Sequence, residues 1–168
     1  MTILGFDVGG TSVKYAAVSE TGHILVKGKF VTPQQDFTAL SQAMQQVKDE
    51  LAAKYSFSGV GISFPGAVDE VAGVIGGASS VPCIHAFDIK HSLQESLQLP
   101  IAMENDANCA ALGELWLGAA RGHKDVVFMV CGSGFGGAVI KNRRIDKGAQ
   151  IHGGGLGCIV VDDQGAIL

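Results

Sequence analysis

The 168-residue chain has no excess of basic charge, no paired cysteines and no long apolar run. Each absence removes a class of function. Twelve Lys and Arg against 16 Asp and Glu leave a formal net charge of −4. Nucleic acids and anionic membranes are held by a basic face, so neither is an expected partner. Cys83, Cys109, Cys131 and Cys158 stand more than twenty residues apart, without a CxxC pair. A disulfide framework or a zinc cluster needs paired spacing; buried, reduced thiols in a cytoplasmic protein are expected instead. The apolar run at residues 2 to 6 is too short for a signal peptide, and Asp7 interrupts it. No run approaches the roughly 18 residues of a membrane helix, and there is no internal repeat.

What is present suits a packed domain. Apolar residues make up 47% of the chain and charged ones 17%, enough to bury a core. Thr2 to Phe6, Val13 to Val18 and Ile24 to Phe30 read as three strands. The short gap after Phe6 makes the first two antiparallel neighbours. Phe37, Leu40, Met44, Val47 and Leu51 then recur at helical spacing, with Asp36 as the N-cap. Val60 to Ser63 is a short buried strand, and Ala67 to Phe87 is a polar, turn-rich stretch. Ile89 to Leu97 reads as a helix, Ile101 to Met103 as a strand and Ala107 to Leu117 as an alanine-rich helix. Gly118 to His123 is the linker candidate. Strands at Val126 to Val130 and Ala138 to Ile140 follow, with a turn at Lys141-Asn142. The pattern is α/β.

Twenty-four glycines, about twice average usage, gather in three runs. Asp7-Val8-Gly9-Gly10-Thr11 follows a buried strand. As a plain hairpin turn it needs no further explanation. As a ligand site, its backbone amides reach phosphate oxygens, Thr11 adds a hydroxyl, and Asp7 faces a Mg²⁺; nearby Lys14 reads as a solvated charge. Gly132-Ser133-Gly134-Phe135-Gly136-Gly137 matches GxGxxG formally, the mark of a dinucleotide-dependent oxidoreductase. Such a loop opens a helix, whereas Ala138-Val139-Ile140 continues as a strand. Neither run is followed by GK[ST], so neither is a Walker A loop. Two glycine turns, each joining two strands, suit a phosphate chain held between two hairpins. His152-Gly153-Gly154-Gly155 resembles an esterase oxyanion loop, but the chain has no GxSxG nucleophile elbow.

Met103-Glu104-Asn105-Asp106-Ala107-Asn108 lies between a strand and a helix. Asn and Asp there are good capping residues. Phosphoryl transfer to an alcohol offers a second role, a carboxylate that accepts the hydroxyl proton. Asp106 would have a fixed direction at such a corner, with Asn105 and Asn108 as neutral hydrogen-bonding partners of sugar hydroxyls.

Together these motifs resemble the ROK family of bacterial hexose kinases and sugar-responsive repressors, over essentially all 168 residues. Phe6 to Thr11 looks like the family's first phosphate motif and Gly61-Ile62-Ser63-Phe64-Pro65-Gly66-Ala67-Val68-Asp69 like its sugar loop. Glu104 to Asn108, with Ala110 to Glu114, resembles its catalytic segment, and Gly132 to Gly137 its second phosphate motif. The resemblance implies an actin-like (ribonuclease H-like) ATPase lobe with a mixed sheet at residues 1–118. It implies the incomplete beginning of a second lobe at 119–168. Asp106 would be the catalytic base. Gly66, Ser79, Asn105 and Asp106 would bind sugar. Asp7, Gly9, Gly10, Thr11, Gly132, Ser133 and Gly134 would surround ATP and Mg²⁺, with Asp7 toward the metal.

Two positions depart from the family pattern. Gly155 and Cys158 stand where a sugar-binding glutamate and a sugar- and zinc-binding histidine are usual. A glycine has no side chain to accept hydrogen bonds from sugar, and zinc is not expected. The family's usual second lobe would need nearly twice this length, so a truncated product, an isolated domain or a decayed gene is expected. The implied activity is ATP-dependent phosphorylation of a hexose, hexosamine or glycoside. The alternative is a non-catalytic sugar-binding or regulatory module, although a repressor's helix-turn-helix has no room before a strand starting at Thr2. The apolar hairpins beyond Gly118 imply a homodimer or other self-association.

Overall fold

The computed structural model describes residues 1–131, 135–149, 151 and 153–155. The chain divides into two compact units, Met1–Asp106 and Ala107–Leu168. The first is built on strands β1 (Thr2–Val8), β2 (Ser12–Ser19) and β3 (Ile24–Val31), then helix α1 (Phe37–Ala52) and β4 (Gly59–Phe64). A small hairpin of β5 (Ala67–Asp69) and β6 (Val74–Gly76) comes next. A 3₁₀ turn (Pro82–Ile84), α2 (Ile89–Leu97) and β7 (Ile101–Asn105) complete the unit. The main sheet has the order β3-β2-β1-β4-β7. β1, β2 and β3 pair antiparallel, while β1, β4 and β7 run parallel. The result is a mixed α/β sheet of the actin-like type.

Strand alternation decides what each face carries. Leu4, Phe6 and Val8 of β1 are buried, as are Val60, Ile62 and Phe64 of β4 and Ile101 and Met103 of β7. They share one core with Leu40, Met44 and Val47 of α1 and Ile89, Leu93 and Leu97 of α2. α1 presents its stripe at steps of four and three and α2 at steps of four, as an amphipathic helix on a sheet must. Asp36 caps α1, accepting from the Ala39 amide at 3.0 Å, and Asp88 caps α2, accepting from the His91 amide at 2.9 Å. Ser41 of α1 and Ser96 of α2 join hydroxyls at 2.8 Å, which satisfies the polar groups where the helices meet.

The second unit holds α3 (Asp106–Leu117, its first residue at the boundary) and a sheet of order β10-β9-β8. Its strands are β8 (Val126–Cys131), β9 (Phe135–Lys141) and β10 (Arg144–Ile145). Ala111, Leu115, Ala120, Ala138 and Ile140 form its small core. The last hairpin turns through Asn142 and Arg143, both at positive φ, the signature of a two-residue type I′ turn. Lys141 and Asp146 clasp it at 2.7 Å. That hydrogen bond, with one from the Gly148 amide, holds the Asp146 carboxyl below its ordinary range.

Three expectations change. The stretch Ala67 to Phe87 contains a hairpin and a 3₁₀ turn rather than irregular loop. There Asp69 Oδ1 accepts from the Val71 and Ala72 amides, and Gly73 turns at φ +76°. β9 begins at Phe135, so Gly136 and Gly137 are strand residues rather than part of a glycine turn. Cys131 is exposed, and Cys83 and Cys109 are half-buried, rather than fully enclosed. Burial, with smaller help from the charge of Asp36, raises the Cys83 thiol above its ordinary range.

The core and the cap differ in weight. Phe64→Ala removes a fully buried ring and should cost about 3–5 kcal/mol. Asp36→Ala removes one cap and should cost about 1 kcal/mol. Denaturant midpoints of the two variants measure the difference.

Candidate functional site

A polar row crosses the main sheet on the face away from the helices. The registers place Lys14 opposite Asp7, Asp7 opposite Ser63 and Ser63 opposite Glu104. The Ser63 hydroxyl donates to Asp7 Oδ1 at 2.9 Å, and Lys14 Nζ lies 3.5 Å from Asp7 Oδ2. Both groups of this ion pair are at least half exposed, so the pair is screened and weak. Its use is to hold a carboxylate at the end of β1. Glu104 turns onto its neighbour, accepting from the Asn105 amide at 2.8 Å.

Beyond Asp7 the chain reverses through Gly9, Gly10 and Thr11. The Gly9 amide closes the turn on Ser12 O at 3.2 Å. The three carbonyls are held from outside. Thr32 Oγ1 donates to Gly9 O at 2.6 Å, the Thr32 amide donates to Thr11 O at 3.2 Å, and Gln34 Nε2 donates to Gly10 O. The amides of Gly10 and Thr11 have no hydrogen-bond partner among the described residues. A turn whose carbonyls are engaged and whose amides are open is a donor surface, the polarity an anion requires. Gly10 is glycine for a steric reason: a Cβ there would stand 2.6 Å from Ser80 Oγ and 2.8 Å from Ser80 Cβ.

A second cluster forms at the ends of β4 and β7. Phe64 pairs with Asn105 in the parallel register, which brings the loop after β4 beside the loop after β7. Asn105 Nδ2 donates to Gly66 O at 3.0 Å. Gly66 sits at φ +103°, and a Cβ would meet Ile75 Cγ2 at 3.0 Å and His85 Cε1 at 3.4 Å. His85 Nε2 lies 2.8 Å from Ser79 Oγ, and Nδ1 lies 3.0 Å from Ile75 O. Asn105 is thus bonded to Gly66, and the His85 ring, bonded to Ser79, packs near Gly66; Asp106 follows directly as the first residue of α3. His85 is the member that sequence reading missed, because it lies in a segment without periodicity.

Gly132, Ser133, Gly134, His152 and Cys158 lie outside the described residues. β8 and β9 are antiparallel up to the pair Cys131 and Phe135. A dinucleotide loop would open a helix at this point; a strand follows instead, which argues against the oxidoreductase alternative. Among the described residues, no three His, Cys, Asp or Glu side chains gather as a metal cage. No helix there is long and apolar enough to cross a membrane. An open groove of 580 Å³ on β1 to β3, lined by Lys27 and Lys29 among others, shares only Asp7 and Lys14 with the site.

Comparison with known proteins places this arrangement. The ROK family model matches residues 3–167. The chain belongs to the ROK family. It is 34% identical to a glucokinase of Halalkalibacterium halodurans, over 96% of this chain and 51% of that protein. It is 31% identical to a beta-glucoside kinase of Listeria monocytogenes, over 99% of this chain and 55% of that protein. Among solved structures it superposes on a ROK family glucokinase from Streptomyces griseus in complex with glucose and AMPPNP. That match has a TM-score of 0.86 and 30% identity, over 96% of this chain and 51% of the other. The chain thus spans about half the length of the ROK relatives it matches.

The contact between Gly10 and Ser80 gives a test of the glycine turn. Gly10→Ala forces a methyl onto Ser80 Cβ, which cannot swing away as a hydroxyl can. The variant should lose about 1–3 kcal/mol, and Ser80→Gly should restore most of it. Chemical denaturation of the single and double variants checks this. A loss unchanged by Ser80→Gly would place the constraint elsewhere.

Proposed function

We propose that this chain carries the sugar loop, catalytic segment and first phosphate turn of an ATP-dependent kinase acting on a hexose, hexosamine or glycoside hydroxyl. The observation that carries the reading is the bond from Asn105 to Gly66 O, which ties the segment bearing Asp106 to the sugar loop. In this reading Asp106 accepts the proton of the attacking hydroxyl. Asn105, Gly66 and Ser79 bind and orient the sugar. Residues 1–118 serve as the N-terminal lobe and 119–168 begin the second, although the compact units divide at Asp106.

The first turn fits a nucleotide phosphate. The open amides of Gly10 and Thr11 supply donors, Gly9 shapes the turn, and Asp7 offers a carboxylate at its rim. A single carboxylate suits Mg²⁺, which takes its other ligands from water and phosphates. Bound Mg-ATP supplies the transferred phosphoryl group; Gly132, Ser133 and Gly134 would complete its grip. Phosphoryl transfer asks a protein mainly for positioning and charge, and these residues provide both.

Gly155 favours a second reading, a sugar-binding module without turnover, because a glycine replaces the acidic sugar contact usual at that place. The two readings separate at Asp106. With a kinase, Asp106→Asn in a full-length or complemented enzyme should lower kcat by about 10²–10⁴-fold and leave sugar affinity within a few-fold. A coupled ADP-release assay beside calorimetric sugar titration measures both. Sugar binding without turnover in a full-length or complemented enzyme would support the module.

The same proposal includes self-association through β8. This edge strand exposes Val127 by 66% and Met129 by 60%, with Phe135 of β9 at 45%. Apolar edges pair with other chains. Light scattering on a size-exclusion column should give a mass above 17.3 kDa, falling to that value for Val127→Lys with Met129→Lys. A parent chain that runs as a monomer would defeat the association.

A further inference from the structure

His85 lies half-buried after the 3₁₀ turn, with its ring against Gly66. Its Nδ1 is 3.0 Å from the Ile75 carbonyl oxygen. A carbonyl oxygen only accepts, so this bond requires the proton on Nδ1. When the ring is neutral, Nε2 is then a bare lone pair. Nε2 stands 2.8 Å from Ser79 Oγ, so the serine hydroxyl donates to it. Ser79 Oγ also accepts from the Val81 amide at 3.2 Å. A hydroxyl has one proton and two lone pairs. Here the proton and one lone pair are committed within the protein, and a single lone pair remains.

We propose that His85 is the positioning residue that fixes Ser79 as an acceptor-only contact, so that Ser79 selects a substrate hydroxyl able to donate. The inference rests on the kinase reading, in which Ser79 lines the sugar site. Without His85 the Ser79 hydroxyl would rotate and could donate as well as accept, and the site would lose its ability to distinguish a hydroxyl from a group that only accepts. A Ser–His pair at this distance is also the front of a hydrolytic triad. In such a triad Nδ1 rests on a carboxylate that stabilises the imidazolium. The Ile75 carbonyl carries no such charge, so positioning is the role this geometry supports.

Two measurements test the proposal. Long-range proton–nitrogen NMR correlations of the unsubstituted chain, in alkaline buffer where imidazole is neutral, report the tautomer of His85. The expected pattern is a protonated Nδ1 and a bare Nε2; a protonated Nε2 overturns the inference. The second measurement is phosphorylation, by a full-length or complemented enzyme, of glucose and its monodeoxy and monodeoxyfluoro analogues, since fluorine accepts but does not donate. At one ring position the fluoro and deoxy analogues should both raise KM about 3–10-fold, with kcat little changed. His85→Phe should abolish the fluoro penalty at that position, and should change nothing further in a Ser79→Ala background. A fluoro penalty that persists in His85→Phe, or an equal effect of His85→Phe with and without Ser79, overturns the proposal. If a full-length or complemented enzyme phosphorylates no sugar, the kinase reading falls, and the tautomer alone decides how Ser79 is held.

Discussion

The parallel pairing of β1, β4 and β7 is the constraint on which the site depends. It sets Asp7, Ser63 and Glu104 in one row and brings the chain ends after Val8, Phe64 and Asn105 to the same edge. A slip of one residue would exchange faces, sending Asp7 toward Leu40 and Met44 and lifting Phe6 into the polar row. The buried set of α1 and α2 fixes the register against that slip, because only one parity of each strand can meet an apolar helix face. The energetic reason for the site's geometry therefore lies in the core, on the opposite side of the sheet from the polar groups it arranges.

Around that edge, backbone polarity is sorted rather than left to solvent. Thr32 and Gln34 occupy the carbonyls of the first turn, and Asn105 occupies that of Gly66. Each such bond removes an acceptor from a loop that would otherwise present mixed polarity. For an anion this matters more than added positive charge. A carbonyl dipole aimed at a phosphate oxygen repels it, and Lys14 is exposed and already shared with Asp7.

Much of this was legible in the residues. The strands at Thr2 to Phe6 and Val60 to Ser63, the helical spacing from Phe37 to Leu51 and the capping role of Asp36 follow from local rules, and the structure shows each. Asn105 and Gly66 were readable as candidates from their motifs, though their hydrogen bond spans 39 residues of sequence and has no local mark. The hairpin of β5 and β6 escaped notice because its strands are three residues each, too short for a period to emerge. His85 escaped for a related reason. Its partners are a carbonyl, a loop serine and a glycine, none of which leaves a pattern at helical or strand spacing. Gly10 illustrates a different limit. The sequence marks it as special, but only the contact with Ser80 shows that its smallness serves packing as well as any ligand.

The segment from Ser79 to His85 faces two ways. Ser79 and His85 belong to the network around Gly66, while Ser80 abuts Gly10 and the Cys83 amide donates to Gln34 O at 3.1 Å. Gln34 in turn holds the carbonyl of Gly10. Seven residues thus link the glycine turn at Gly10 to the network beside Gly66, the two loops proposed to hold phosphate and sugar. A displacement at one end is felt at the other, since neighbours such as Ser79 and Ser80 cannot move independently. Thermodynamic reciprocity then applies: whatever free energy a ligand at the first loop exerts on the second is returned in equal measure. If both loops bind as proposed, this segment is the path through which one ligand would bear on the other.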